Sequence, residues 1–200
     1  MSTARDLVLI ALGRPAGQLV GQGDLSLALA GAEALDLLRS GAMELDGDRI
    51  VPGPRAVTGD PLLDQADASL ARQKPYETLD DWLWRRADKL AAAYIHDLER
   101  TGLVVHAHGH GFRLLSERTV LADSRARRNA EERRASGEPV LAALLAATGI
   151  DEEPLTSDGS ALDDAVTTVL AAVGDAVLQL EARRLRRDVE NAAFDNVWRG

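Results

Sequence analysis

The chain has 200 residues, 46% of them hydrophobic but only 4% aromatic, and a formal net charge of -9. That length buries a core without covalent staples, and a cysteine count of 0 excludes a disulfide framework, a thiolate nucleophile and thiolate-ligated zinc. The acidic balance argues against a nucleic-acid role built on bulk positive charge and gives no long-range pull toward anionic membranes.

A core drawn mainly from Ala, Leu and Val with few aromatics calls for many closely packed helices. The expected fold class is therefore mainly α, a single compact helical domain over residues 1–200 with two small β-hairpins. Thr3 to Leu12 reads as the first helix, with Leu7, Val8, Ile10 and Ala11 on a nearly continuous apolar face and Asp6 near its start. No secretory signal is expected there, because Gly13 and Arg14 end the apolar run early, and no stretch of the chain is expected to reach the ~20 apolar residues of a membrane helix. Gly13 to Gly23 reads as a loop or a short irregular ribbon, and Leu25 to Arg39 as a second helix stopped at Gly41 by a left-handed cap. Met43 to Asp46 and Arg49 to Val51 then alternate around an Asp46-Gly47 turn signal, a hairpin. Thr58 or Asp60 can cap a helix that starts at Pro61 and runs to Gln73.

Thr78 to Arg100 reads as one helix, with Trp82, Leu83, Leu90, Tyr94, Ile95 and Leu98 recurring at helical spacing. Gly102 ends it, and Leu103 to Leu115 reads as two strands around a glycine turn, a wing. Leu121 to Ser136 is a charged helix or linker, Pro139 to Ala147 a short apolar helix, and Asp151 to Ser160 an acidic exposed loop. Ala161 to Val197 makes one or two last helices, interrupted near Gly174 or continuous through it, with Leu180, Leu185 and Val189 expected inward.

Few residues in this pattern carry chemistry. His106, His108 and His110 alternate, so a strand would point all three imidazoles to one face, a set that suits zinc or nickel. They flank a glycine turn where side chains splay, and an exposed hairpin tip explains them better, so no metal or cofactor is expected. The acid pairs Asp80-Asp81 and Asp163-Asp164 sit at helix starts, where capping accounts for them. Gly17, Gly21 and Gly23 precede no Lys-Ser or Lys-Thr pair, and no serine sits in a strand-turn-helix elbow, so an enzyme is not expected. Trp82 and Trp84, two apart on a helix, face different ways: one into the core, the other onto the surface with Arg85 and Arg86 lying across it. Arg125, Arg127, Arg128, Arg133 and Arg134 form the densest basic cluster, interleaved with Glu131 and Glu132, and Arg183 to Arg187 a second basic run.

In order, the opening helix running into Gly17, LAGAEALDLLRSGAMELD from Leu29, TGDPLLDQA at Thr58 to Ala66, the Trp82 region, DLERTGLV at Asp97 to Val104 and the apolar Val140 to Ala147 resemble the Golgi phosphoprotein 3 family. These are phosphoinositide-binding peripheral membrane adaptors, and the chain looks like a short bacterial-type member. The resemblance covers nearly the whole chain and implies a mostly helical fold with small hairpins, no catalysis, and recognition of phosphatidylinositol 4-phosphate through a basic pocket beside a Trp. The pocket Trp falls at about Gly21 or Gln22, the second-helix Arg at Ala30, and two further arginines at Asp88 and Ala91; none of these positions carries the family's residue. The membrane-inserting hairpin of eukaryotic members is replaced by the short polar Arg134 to Glu138 link.

The candidate lipid- or anion-binding residues are accordingly Arg14, Arg39, Arg85 and Arg86, nearest to that pocket in chain order, with Arg125, Arg127 and Arg128 from the densest cluster. The expected partner is an anionic membrane lipid or phosphoinositide, for a cytoplasmic protein that associates peripherally with a membrane. A protein-interaction module using an exposed helical face or the wing is the second reading, and a winged-helix DNA binder, disfavoured by the acidic balance, the third.

Overall fold

The computed structural model describes residues 2–15, 20–55, 57–107, 118–122, 124–151 and 162–197. Among them the chain folds as α1 (Thr3–Leu12), α2 (Gln22–Ser40), β1 (Met43–Asp46), β2 (Arg49–Pro52), α3 (Pro61–Ala68), α4 (Leu79–Arg86), α5 (Leu90–Arg100), β3 (Val104–Ala107), β4 (Arg118–Leu121), α6 (Arg125–Ala135), α7 (Pro139–Ala147) and α8 (Asp164–Val197). The fold is mainly helical with two two-stranded antiparallel hairpins.

Everything is arranged around α2. Its residues from Leu25 to Leu37 are all buried, because α1, α3, α4, α5, α7 and α8 pack against it on every side. A helix apolar all round has nowhere stable to sit but a core, and the run Ala28, Ala30, Ala32 and Ala34 keeps it slim enough for neighbours to approach. The closest approach is at Gly31, where an added Cβ would run into the Val173 side chain of α8. Gly41 ends α2 in the left-handed conformation (φ 71°), returning its N–H to Leu38 O at 3.0 Å.

The first hairpin pairs Leu45 with Ile50 and Asp46 with Arg49. Its two-residue turn is Gly47-Asp48, one position beyond the Asp46-Gly47 signal, because Gly47 supplies the positive φ (62°) at the first turn position. The outer edge of β2 is partly covered by the segment before α4: Ile50 donates to Glu77 O (3.0 Å) and Leu79 to Asp48 O (2.8 Å).

Three elements differ from the sequence reading. The helix from Pro61 stops at Ala68 rather than Gln73. The helix expected over Thr78 to Arg100 is two, separated where Lys89 adopts φ 56°; α5 then restarts with the Ala91 N–H donating to the Ser26 hydroxyl of α2 (3.1 Å), a cap supplied from another helix that local sequence does not reveal. The second strand of the wing is Arg118–Leu121, pairing Val104 with Leu121, rather than a strand ending at Leu115, so α6 starts only at Arg125. His108, His110, the glycine turn and most of the acidic loop lie outside the described residues. The alternative at the C-terminus resolves to one continuous helix through Gly174. By length and composition α8 from Asp164 to Asn191 is apolar enough to cross a membrane, which the sequence reading did not anticipate; here it lies along α2 with Val169, Val173 and Ala176 buried.

Candidate functional site

Buried ion pairs lock the helices that frame any surface site. The TGDPLLD motif resolves in favour of Asp60 as the cap of α3: its carboxylate accepts from Leu62 N–H (3.1 Å), from the Ser2 hydroxyl (3.0 Å) and from Arg5 Nε (2.8 Å). Arg5 also pairs with Asp97, which in turn holds Arg100 (2.6 Å). Burial alone would raise the Asp60 pKa, but the Arg5 guanidinium and the donated hydrogen bonds outweigh it and leave the carboxyl below its ordinary value. Asp36 of α2 caps α1 from outside, accepting from Thr3 N–H (2.7 Å) and Thr3 Oγ1 (2.8 Å). There burial prevails and the pKa is raised, against the opposing bonds from Thr3 and the charge of Arg39.

Deeper still, Glu33 is fully buried on α2. It accepts two parallel bonds from Arg86 (2.7 and 2.8 Å) and one from the Tyr94 hydroxyl (3.0 Å), while Arg86 also donates to Leu62 O (3.0 Å). Desolvation raises the Glu33 pKa despite these bonds, and burial beside that carboxylate holds the Tyr94 phenol well above its ordinary value. One bidentate pair thus joins α2, α3, α4 and α5.

The candidate arginines fall in four places rather than one. Arg14 donates to Ile150 O (2.7 Å) beyond α7. Arg39 pairs with Asp36 (3.0 Å) and lines two clefts of ≈ 590 and ≈ 600 Å³, which also hold Arg5 and Arg133 respectively. In both clefts the cations already face carboxylates, Asp36 and Asp60 in one, Asp6 and Glu132 in the other, so neither presents net positive charge. Arg85 turns outward and clasps Glu77 (2.6 and 2.8 Å), whereas Arg86 turns inward to Glu33. Arg125 and Arg128 are exposed and Arg127 half-buried along α6. Arg133 and Arg134 of the same cluster are committed to Asp6 and to Asp151 (2.6 Å).

Two further arginines lie elsewhere, where α8 crosses the start of α2, in a cleft that also holds Asp24 and Glu181 beside Arg184. Among the described residues, Gly21 precedes α2 with no side-chain cap. Arg184 reaches this turn and bonds Asp24 at 2.7 and 3.0 Å, and an added Cβ at Gly23 would press on Leu180 and Arg184. One residue away, the Arg183 guanidinium sits over the Trp84 ring at 4.4 Å. Trp82 is fully buried and Trp84 half-buried, as the two-residue spacing implied, but the cation on Trp84 is Arg183 rather than Arg85 or Arg86.

Gly21 lies beneath Arg184, and Ala30 and Ala91 are core positions at 0% and 1% exposure, so neither could project a side chain outward. The basic run from Arg183 was visible in the sequence, and so was Trp84; their meeting was not, because it joins residues about a hundred apart across two helices. The expected inward packing of Leu185 and Val189 is overturned: they are 59% and 69% exposed, because α8 runs past the end of the helical body beyond Arg184. Among the described residues no group of three His, Cys, Asp or Glu could hold a metal ion.

The family model described as Golgi phosphoprotein 3 (GPP34) matches residues 4–192. No curated protein matches the chain.

Proposed function

The chain belongs to the Golgi phosphoprotein 3 family, and from that premise we propose that it is a non-enzymatic, cytoplasmic scaffold that binds an anionic lipid headgroup, of the phosphatidylinositol 4-phosphate class, at the crossing of α8 over the start of α2. The observations that support this reading are Arg184 at the start of α2, whose cap Gly21 brings no side chain, and its neighbour on α8, Arg183, over the half-buried Trp84 ring. Arginine forks match phosphate oxygens, a helix N-terminus adds backbone donors, and an aromatic ring holds a neighbouring guanidinium in place. In this reading the cations come from α8 because two of the positions that would otherwise supply them, Ala30 and Ala91, are small core residues and the third, Asp88, is an exposed acid.

Asp24 opposes the headgroup. Its carboxylate already occupies Arg184, so a phosphate group has to displace it, and the site works as an exchange of one anion for another. The test is co-sedimentation with vesicles containing phosphatidylinositol 4-phosphate, at low and raised salt. Asp24→Asn should strengthen binding and Arg184→Glu should abolish it. Absence of binding to phosphoinositide and other anionic vesicles at low salt would sink the reading. Arg14, Arg39, Arg85, Arg86, Arg125, Arg127 and Arg128 then act as secondary contacts at most, and a charge-removing change at the exposed Arg125 should weaken vesicle binding far less than one at Arg184.

A further inference from the structure

We propose that the exposed face of the second half of α8, from Leu178 beside the end of α7 to Val189 beyond the helical body, pairs in parallel with α8 of a second copy of this chain. The observation is a stripe. Leu178, Leu185 and Val189 are 64%, 59% and 69% exposed, and at 100° per residue they fall within about 40° of one another around the helix. Val169, Val173 and Ala176, the residues that seat α8 on the body, lie on the opposite side. Two copies can therefore meet along the stripe with their bodies directed outward.

The spacing fits a two-stranded seam. Leu178 and Leu185 take one core position of a heptad, d, while Ala182 and Val189 take the other, a; Leu at d with a β-branched residue at a, met here at Val189, favours a parallel dimer. The charges beside the seam select the same arrangement. Glu181 falls at g and Arg186 at the e position five residues on, so in a parallel pair each Glu181 meets Arg186 of the other copy, twice by symmetry. An antiparallel pair would instead place Glu181 against Asp188, both acidic.

A membrane surface is the weaker occupant of this stripe. From Asp175 to Asn191 the helix carries Arg183, Arg184, Arg186 and Arg187 against Asp175, Glu181, Asp188 and Glu190, which sum to zero. Interfacial helices on anionic lipid depend on a basic polar face, and here Arg183 and Arg184 turn to Trp84 and Asp24 on the body. A balanced, alternating border suits a copy of itself.

Sedimentation equilibrium of the full chain, from about 1 to about 500 μM to cover the weak association of a short seam, should show a monomer–dimer transition. Leu185→Glu should raise the dissociation constant at least about tenfold, the cost of burying a lone charge at a core position, with the urea midpoint of the monomer unchanged. Glu181→Arg and Arg186→Glu should each weaken the dimer, and the two together should restore it. Because the chain has no cysteine of its own, Val189→Cys provides a single thiol. In a parallel pair the two thiols face each other and should cross-link under mild oxidant. A chain that stays monomeric at the highest concentration overturns the proposal, as does a dimer indifferent to Leu185→Glu, a double charge swap that fails to restore pairing, or a Val189→Cys chain that does not cross-link. A monomer that binds vesicles in a manner abolished by Leu185→Glu would assign the stripe to lipid instead.

Discussion

Helices α2 and α8 lie against each other and solve opposite problems. From Leu25 to Leu37 α2 is covered on all sides, so each polar residue in that span must find a partner inside the protein: Ser26 caps α5, Glu33 holds Arg86 and Tyr94, and Asp36 caps α1. α8 is seated by one face over its first half and exposed over its second, so its polar residues answer to solvent or to whatever docks there. The difference teaches where function can reside. Buried charges on α2 hold the fold, whereas the arginines of α8 lie at its edge, half-buried or exposed.

The strongest way to break this contrast is to strand a charge on α2. Arg86→Met leaves Glu33 buried without its counter-ion and should lower stability by about 3–5 kcal/mol, read as the shift in free energy of urea unfolding. Next is the contact between the two helices. Gly31→Ala forces a methyl into Val173 and should lower stability by about 1–3 kcal/mol, and combining it with Val173→Ala should recover part of the loss; a double variant no better than the single one would mean that Gly31 is needed for something other than clearance.

A smaller effect depends on pH. Burial raises the Asp36 pKa in the folded state, so its contribution is fully present below the ordinary carboxylate value of about 3.9 and is lost as pH rises through the raised one. Asp60, whose pKa is lowered, acts with the opposite sign: its contribution is present above that value and is lost as pH falls. Asp36→Asn should therefore remove a decline in stability with rising pH and leave the acid limb intact, as followed by the urea midpoint from about pH 4 to pH 7. On α8 the effects on monomer stability shrink further. Arg183→Ala removes the guanidinium from Trp84 and should cost about 0.5–1 kcal/mol, with a change in tryptophan fluorescence. Leu185→Ser should stay within about 0.5 kcal/mol of the parent in dilute solution; a larger loss would show that the exposed half of α8 packs on the body after all.

Much of the fold was legible because it is encoded locally. Helical periodicity marked α1, α2 and α7, Gly41 marked the end of α2, and Asp60-Pro61 marked the start of α3, each through backbone preferences that act within a few residues. The split at Lys89 was not legible, since its cap comes from Ser26, 65 residues away. Arg85 and Arg86 looked alike as neighbours in sequence; only the rotation between them sends one to an exposed Glu77 and the other to a buried Glu33.

The sequence by itself determined the mainly helical class and the order of motifs that places the chain in its family, because propensity, capping and hydrophobic period are short-range. Tertiary structure alone decided which arginines are committed and which are available. An ion pair depends on which helices cross and at what rotation, and that is set by packing a whole core around α2. The crossing that brings Arg183 and Arg184 to Trp84 and the start of α2, and leaves Leu185 and Val189 in solvent, follows from the clearance at Gly31 and from a helix longer than the body it covers.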